Sequence, residues 1–115
     1  MKYAILIYGA EADWASQTPE EMGKAMEAYF AYSDALAKAG KAITGQELAP
    51  VATAKTVRIL GGAPVVADGP FAETKEQLGG FYLIEAENEA DALEWAARCP
   101  GAQHGTIELR PCIEH

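Results

Sequence analysis

The stretch DGPFAETKEQLGGF, residues 68–81, holds the densest group of side chains that could do chemistry. Asp68 opens an Asp-Gly-Pro turn, in which the proline is expected to push Gly69 toward extended geometry. A carboxylate that is partly desolvated beside Pro70 and Phe71 would suit general acid–base catalysis. Asp68 is therefore the leading catalytic candidate. The alternative is an Asx turn, in which the same carboxylate binds local backbone amides.

Further polar candidates flank this turn. Glu73 and Lys75 are two residues apart and would not face each other on a helix, so one could enter a pocket while the other stays in solvent. Arg110, on a predicted edge strand, could bind a substrate anion or pair with Glu108 on the protein surface. Tyr8 lies on a predicted central strand, where a buried phenol needs a hydrogen-bond partner and simple core packing is the alternative to a binding role.

Two glycines precede the apolar segment 81–84. Glycine weakens a strand by its entropy and its missing side chain, so its presence there calls for a reason. We hypothesise that Gly79 and Gly80 leave the strand without side chains at these positions, which would let the loop 68–76 or a ligand approach the backbone. The alternative is that one of them adopts a positive φ in a turn or bulge.

The sequence gives no sign of a metal or cofactor site. Cys99 and Cys112 match neither a CxxC motif nor a zinc pattern, and we expect two reduced thiols. His104 and His115 are not spaced to share an ion. His104 is either a solvated loop histidine or an additional site residue. No nucleophile elbow and no phosphate-binding loop can be identified.

Length and charge narrow the class of protein. The chain has 115 residues and a mass of 12.2 kDa, which corresponds to one domain. With 9 basic against 17 acidic residues the net charge is −8, and this balance argues against nucleic acid or an anionic membrane as partner. No apolar run approaches the roughly 20 residues of a membrane-spanning helix. Residues 1–9 resemble a first strand rather than a signal peptide, so we expect a cytoplasmic protein.

Periodicity and capping signals predict six strands and two helices. The first helix should begin with a capping box formed by Thr18 and Glu21, with Pro19 at its first position. Gly61-Gly62 between two β-rich runs indicates a hairpin. The predicted strands are 2–9, 41–48, 55–60, 63–67, 80–85 and 106–110, and the predicted helices are 19–39 and 89–98.

This order predicts an α+β fold, a ferredoxin-like split βαβ with an inserted β-hairpin. The two strands expected at the sheet centre, 2–9 and 80–85, are apolar on both faces. Two helices can cover only one of these faces. We therefore expect a homodimer in which two sheets pack face to face as a dimeric α/β barrel. The hairpin would cover part of the same face and leave room for a pocket.

The segment DGPFAETKEQLGGFYLIE resembles the signature of the DGPF-domain branch of the YCII-related family. The similarity extends along the chain through MKYAILIYG, PEEM, ATAKTVRI, ALEWAARCP and IELRP. The resemblance implies a ferredoxin-like subunit, a dimeric barrel and a small-molecule active site near the DGPF turn. Some relatives are linked to lyase or dehalogenating chemistry on small aromatics. DGPF proteins are often associated with alternative sigma factors.

One departure from the family bears on mechanism. The YCII branch is known for a His-Asp pair with its histidine on the first helix, whereas Tyr29 stands at that position here. The expected function is cofactor-free proton transfer on a small organic molecule, such as elimination, isomerisation or dehalogenation, by Asp68 with help from Glu73, Lys75, Tyr29 or Arg110. The alternatives are a non-catalytic ligand-binding or regulatory module that works with a transcription factor, and a structural dimer without a pocket.

Overall fold

Three α-helices and six strands make up the chain, which a computed structural model describes over residues 1–115. The elements differ from the predicted ones mainly by an additional short helix and a longer fifth strand. In chain order they are β1 (Lys2–Gly9), α1 (Glu11–Ala15), α2 (Pro19–Lys38), β2 (Ala42–Glu47), β3 (Lys55–Leu60), β4 (Ala63–Asp68), β5 (Gln77–Glu85), α3 (Glu89–Arg98) and β6 (Thr106–Pro111). Single 3-10 turns at Val51–Thr53 and Pro100–Gln103 precede β3 and β6.

The strands form two antiparallel sheets. Four of them lie in the order β2-β5-β1-β6, and β3 pairs only with β4. The prediction that β1 and β5 occupy the centre of the main sheet is confirmed. The main sheet is open at both edges, so the fold is α+β without a closed barrel in the single chain.

The two long helices begin where their caps predict. The Thr18 hydroxyl accepts a hydrogen bond from the backbone N–H of Glu21 at 3.1 Å, and the Glu21 carboxylate accepts one from the N–H of Thr18 at 3.0 Å. This reciprocal capping box fixes the start of α2. The Asn88 side chain accepts from the N–H of Asp91 at 2.9 Å and caps α3 in the same way.

One face of the main sheet carries the core. Tyr3, Ile5 and Ile7 of β1 are buried there together with Ile84 of β5. Helices α2 and α3 add the rest of the buried apolar cluster, which consists of Tyr32, Leu36, Ala92, Trp95, Ala96 and Cys99 together with Ala86. A buried hydrogen bond of 2.6 Å from the Tyr32 hydroxyl to the carbonyl of Trp95 ties the two helices together.

The opposite sheet face, called here the open face, has no helix over it. Side chains alternate along a strand, so Leu6 points away from the core, and its register partner Phe81 lies on the same face. Both residues are only half-buried. The other apolar members of the open face are Ala4, Tyr8, Leu78 and Leu83. The expected two-faced apolarity of the central strands is thus present.

The hairpin β3–β4, called here the arm (residues 55–68), does not cover the open face, and the prediction that it would do so is wrong. Eleven of its twelve strand residues are exposed, among them Val57, Ile59 and Val66 at 59, 65 and 62%. Its turn needs two left-handed residues, which Gly61 and Gly62 supply with φ of 59° and 80°. The arm extends from the fold instead, since its own two-residue turn fixes only the pairing of its strands and not where they dock.

Candidate functional site

A cavity of about 720 Å³ lies at one end of the open face. Tyr8 at the end of β1 and Leu78 at the start of β5 form its floor, because they are register partners and share a sheet face. The segment that follows the arm forms one wall, and the 3-10 turn before the arm forms the other. The complete lining is Tyr8, Val51, Ala52, residues 70–74 and residues 76–78.

Hydrogen bonds from side chains hold these walls in place. The Glu11 carboxylate accepts from the N–H of Val51 at 2.8 Å, while the N–H of Glu11 donates to the Gln77 amide oxygen at 2.9 Å. Thr106 on β6 donates its hydroxyl to the Glu76 carboxylate at 2.7 Å. Helix α1, the first residues of β5 and the start of β6 therefore meet around the cavity, and Glu11 is the residue that joins α1 to both of its sides.

The cavity wall is apolar and acidic. Its charged lining residues are Glu73 and Glu76, and no lysine or arginine contributes to it. Glu76 is occupied by the Thr106 hydroxyl, whereas the Glu73 carboxylate makes no hydrogen bond or ion pair within the chain. Glu73 is therefore the lining acid without a partner in the chain, and its side chain is exposed to solvent. Lys75, the alternative for this position, does not line the cavity.

Asp68 lies at the end of β4, on the arm, and not in the cavity wall. Its side chain is 86% exposed and forms an ion pair with the Lys55 ammonium directly across the hairpin. Neither the expected desolvation nor an Asx turn is present in the single chain. Gly69 also differs from its predicted extended geometry: its φ is +89°, and its N–H donates to the carbonyl of Ala54 at 2.7 Å, which closes the base of the arm.

Pro70 and Phe71 line the cavity as the motif predicts, although Phe71 is 82% exposed. Tyr29 and Arg110 lie elsewhere. Tyr29 is on the core side of the sheet, where an ideal Cβ on Gly101 would come within 2.8 Å of its hydroxyl. Arg110 faces Glu108 at 3.6 Å and is four residues along β6 from the Tyr8 pairing, or roughly 13 Å from the cavity floor.

The two glycines of β5 make a close approach possible, but not to the loop 68–76. An ideal Cβ on Gly79 would lie 2.4 Å from the Trp14 ring, and one on Gly9 would lie 2.6 Å from the same ring. Gly80 lies against the backbone carbonyl of Gln46 on β2, at 2.9 Å from an ideal Cβ. The glycines therefore accept the indole of α1 and the neighbouring strand. Both lie inside β5, which begins at Gln77 rather than at residue 80.

Three important residues were missed by the sequence analysis. Helix α1, with Glu11 and Trp14, spans only five residues, which is too short for a helical period to be recognised. A signal was present in the pair Gly9 and Gly79, because a missing side chain on two paired strands indicates a large neighbour. Glu76 had no such signal, since its role depends on Thr106, thirty residues away in sequence.

The groups whose pKa values are raised by burial cluster on the core side, away from the cavity. Burial raises the pKa of the Tyr29, Tyr32 and Tyr82 hydroxyls, and Cys99 beside them adds to each shift. Burial likewise raises the pKa of the Cys99 thiol. These groups are kept neutral by packing, and the Tyr82 hydroxyl is also hydrogen bonded to the Ser33 hydroxyl at 2.8 Å. Their arrangement is that of a core.

The structure contains no group of three or more His, Cys, Asp or Glu residues close enough together to hold an ion. None of its helices combines the length and the apolar character that crossing a bilayer requires.

Comparison with known proteins places the chain in a family. The family model of the YCII-related domain matches residues 1–115. An uncharacterized protein of Rhizobium meliloti (strain 1021) is 39% identical over 113 residues, which cover 96% of this chain and 91% of the relative. Both matches extend over the sheet, the helices and the cavity walls described above. The chain therefore belongs to the YCII-related family.

Proposed function

We propose that the protein is a homodimeric small-molecule enzyme that transfers protons without a cofactor, with its active site in the cavity beside the DGPF turn. The observation that carries this proposal is a cavity of about 720 Å³ in which an unpartnered carboxylate, Glu73, stands among aromatic and aliphatic walls. Ligand sites are commonly apolar clefts with a few polar groups that orient the molecule. The assignment to the DGPF branch rests on residues 68–85.

The subunit arrangement is proposed to be ferredoxin-like. The antiparallel order β2-β5-β1-β6, with a helix after β1 and another after β5, supports it. The open face supports the dimer, because a sheet with Leu6, Phe81 and Leu83 on its uncovered side gains from burial against a second sheet. Two such faces packed together would form the dimeric barrel and would deepen the cavity.

The chemistry would use Glu73 as the acid or base that faces the bound molecule. Tyr8 lines the same cavity, and its hydroxyl would donate a hydrogen bond to a developing negative charge. Asp68 remains the second candidate base, since it precedes the cavity wall by two residues. Proton abstraction next to an activated carbon accounts for elimination and isomerisation alike, and neither needs a cofactor.

A screen of small neutral aromatic molecules tests the proposal. Binding is measured by saturation-transfer NMR, and turnover by product formation or halide release. We expect the molecules that bind to compete with one another for a single site, and we expect Phe71→Ala to raise their dissociation constants. For a molecule that is turned over, Glu73→Gln should lower kcat by about 100-fold, within the usual contribution of general acid–base catalysis. Glu27→Gln, an exposed acid on α2, is the matched control. Turnover unaffected by both Glu73→Gln and Asp68→Asn would contradict the proposed mechanism.

A second candidate is ligand binding without turnover, in a regulatory module that acts with a transcription factor. The exposure of Asp68 favours it, because in the single chain the predicted base faces water rather than the cavity. Under this function the same molecules bind, and Phe71→Ala weakens their binding, but no product accumulates at any pH. The screen therefore separates the two functions.

A further inference from the structure

The single chain exposes far more surface than a protein of its mass needs to. Its accessible area is 8123 Å², against about 6,100 Å² expected for a folded monomer of 12.2 kDa. Its radius of gyration is 16.2 Å, against about 13 Å for a compact domain of this length. The excess area of roughly 2,000 Å² is more than the 800 Å² or so that each partner buries in a standard interface.

The arm contributes to this excess, and its two faces differ. On one face the register pairs Val57 with Val66 and Ile59 with Pro64. The Lys55–Asp68 pair belongs to this same face, at the base of the arm. The other face presents Arg58 paired with Val65 and Leu60 paired with Ala63, so its apolar side chains are fewer and smaller and a charged guanidinium stands among them. A two-stranded hairpin without a covering layer is marginally stable in water, so an apolar face of this kind calls for a partner.

We propose that each arm packs on the second copy of this chain through the face that carries Val57, Ile59, Pro64 and Val66, and that this contact encloses the Lys55–Asp68 pair. The inference rests on the proposed homodimer and adds a composite site to it. Asp68 would lose its exposure to water only when the partner is present. The segment 69–74, which joins the arm to the cavity, would be held in place by the same contact.

A second copy is the occupant that the surface areas favour. The excess area falls in the range of obligate homodimers, which bury about 1,000–2,500 Å² per partner. The open face and the arm are both uncovered in the same chain, so one two-fold axis between two copies would allow both surfaces to be covered.

Hydrogen exchange of the full chain tests the arm directly. In the dimer the amides of residues 55–68 should exchange at least about tenfold more slowly than at concentrations where the protein is monomeric, because local opening then requires the partner to leave. A monomer at all concentrations overturns both the proposed dimer and this inference. A dimer with unprotected arm amides overturns this inference alone and leaves the dimer standing.

A matched pair of variants tests which face of the arm is used. Ile59 and Leu60 are neighbours, are 65 and 59% exposed, and point to opposite faces of the hairpin, so neither change should disturb the fold of the single chain. Ile59→Glu should raise the dissociation constant of the dimer at least tenfold, whereas Leu60→Glu should change it less than threefold. Equal effects, or a larger effect of Leu60→Glu, would overturn the assignment of the face.

The enclosure of the ion pair has its own measurement. Asp68→Asn would leave the Lys55 ammonium unpaired in the interface and should weaken the dimer at least tenfold. The double variant Lys55→Met/Asp68→Asn should recover at least threefold of that loss, because it removes the stranded charge. Single and double variants that all lie within threefold of the parent dissociation constant would mean that the pair stays in water, and would overturn this part of the inference.

Discussion

The position of Trp14 depends on the absence of two side chains. Its indole lies over Gly9 on β1 and Gly79 on β5, so that ideal Cβ atoms there would come within 2.6 and 2.4 Å of the ring. Helix α1 can approach the sheet only because both positions are glycine. Since Glu11 of the same helix binds Val51 and Gln77, the place of the indole also sets the walls of the cavity.

The variant Gly79→Ala tests this packing. The added methyl group must displace the indole, and overpacking of this kind costs about 1–3 kcal/mol of unfolding free energy. We expect a lower urea midpoint and a change in the tryptophan fluorescence of the folded protein. Gly23→Ala is the matched control, because nothing lies within 4 Å of its ideal Cβ and alanine favours a helix. Gly79→Ala with the stability of Gly23→Ala would contradict the role given to Trp14.

Individual site residues were only partly predictable. The DGPF segment lies beside the cavity, and Tyr8, Pro70, Phe71 and Glu73 are among the residues that line it. A linear motif does not say which side chain turns inward, and Asp68 is separated from the cavity because it still belongs to the strand pairing of the arm. Tyr29 was placed by alignment with a family position, and it lies on the other side of the sheet.

At the scale of elements, helices and turns with local signals were predicted well. The capping box places the start of α2 at Pro19, and the end of α3 at Arg98 agrees with the prediction. The Gly61-Gly62 turn gives the hairpin its correct register. The start of β5 was missed because glycine is a poor strand former, whereas here Gly79 and Gly80 remain in the strand to accept Trp14 and the β2 backbone. Long-range packing thus overrides local propensity.

The layer between α2, α3 and β5 should make the fold sensitive to alkali. Burial raises the pKa of Cys99, Tyr29, Tyr32 and Tyr82 above their ordinary values of 9.0 for the thiol and 10.0 for the phenols. Above about pH 9 the unfolded chain loses these protons while the folded chain retains them. Each such proton lowers the unfolding free energy by up to about 1.4 kcal/mol per pH unit, so stability is fully present below pH 9 and falls as the pH rises.

Urea unfolding at a series of pH values from 8 to 11 measures this loss. The decrease of the unfolding free energy with pH should be shallower in Tyr29→Phe, because that variant removes one of the groups that release a proton on unfolding. A free energy of unfolding that stays constant across the series would show that the hydroxyls of this layer reach water in the folded state. Such a result would leave the cavity unaffected, since the cavity lies on the other face of the sheet.

At the scale of the whole molecule, the shape is that of an open slab with an arm. The principal extents are 48 × 44 × 19 Å, and the thin dimension corresponds to one sheet and one layer of helices. The two-faced apolarity of β1 and β5 predicts that something covers the second face of the sheet. The hairpin was expected to form part of that cover, because a hydrophobic pattern indicates that a surface is buried but not which chain buries it. The arm leaves that face free in the single chain.

Removal of the arm tests whether the main sheet and its helices fold without it and whether the arm contributes to association. Ala54 and Gly69 are joined by a backbone hydrogen bond of 2.7 Å, so residues 55–68 can be deleted and the two ends linked directly. The main sheet and its helices have a core without any arm residue, and the shortened chain should fold with unchanged cooperativity. Because the open face remains, it should still associate, but with a dissociation constant at least tenfold above that of the full chain, as measured by light scattering over a dilution series. A shortened chain that dimerises as tightly as the full chain would mean that the open faces alone hold the subunits together and that the arm has no part in association.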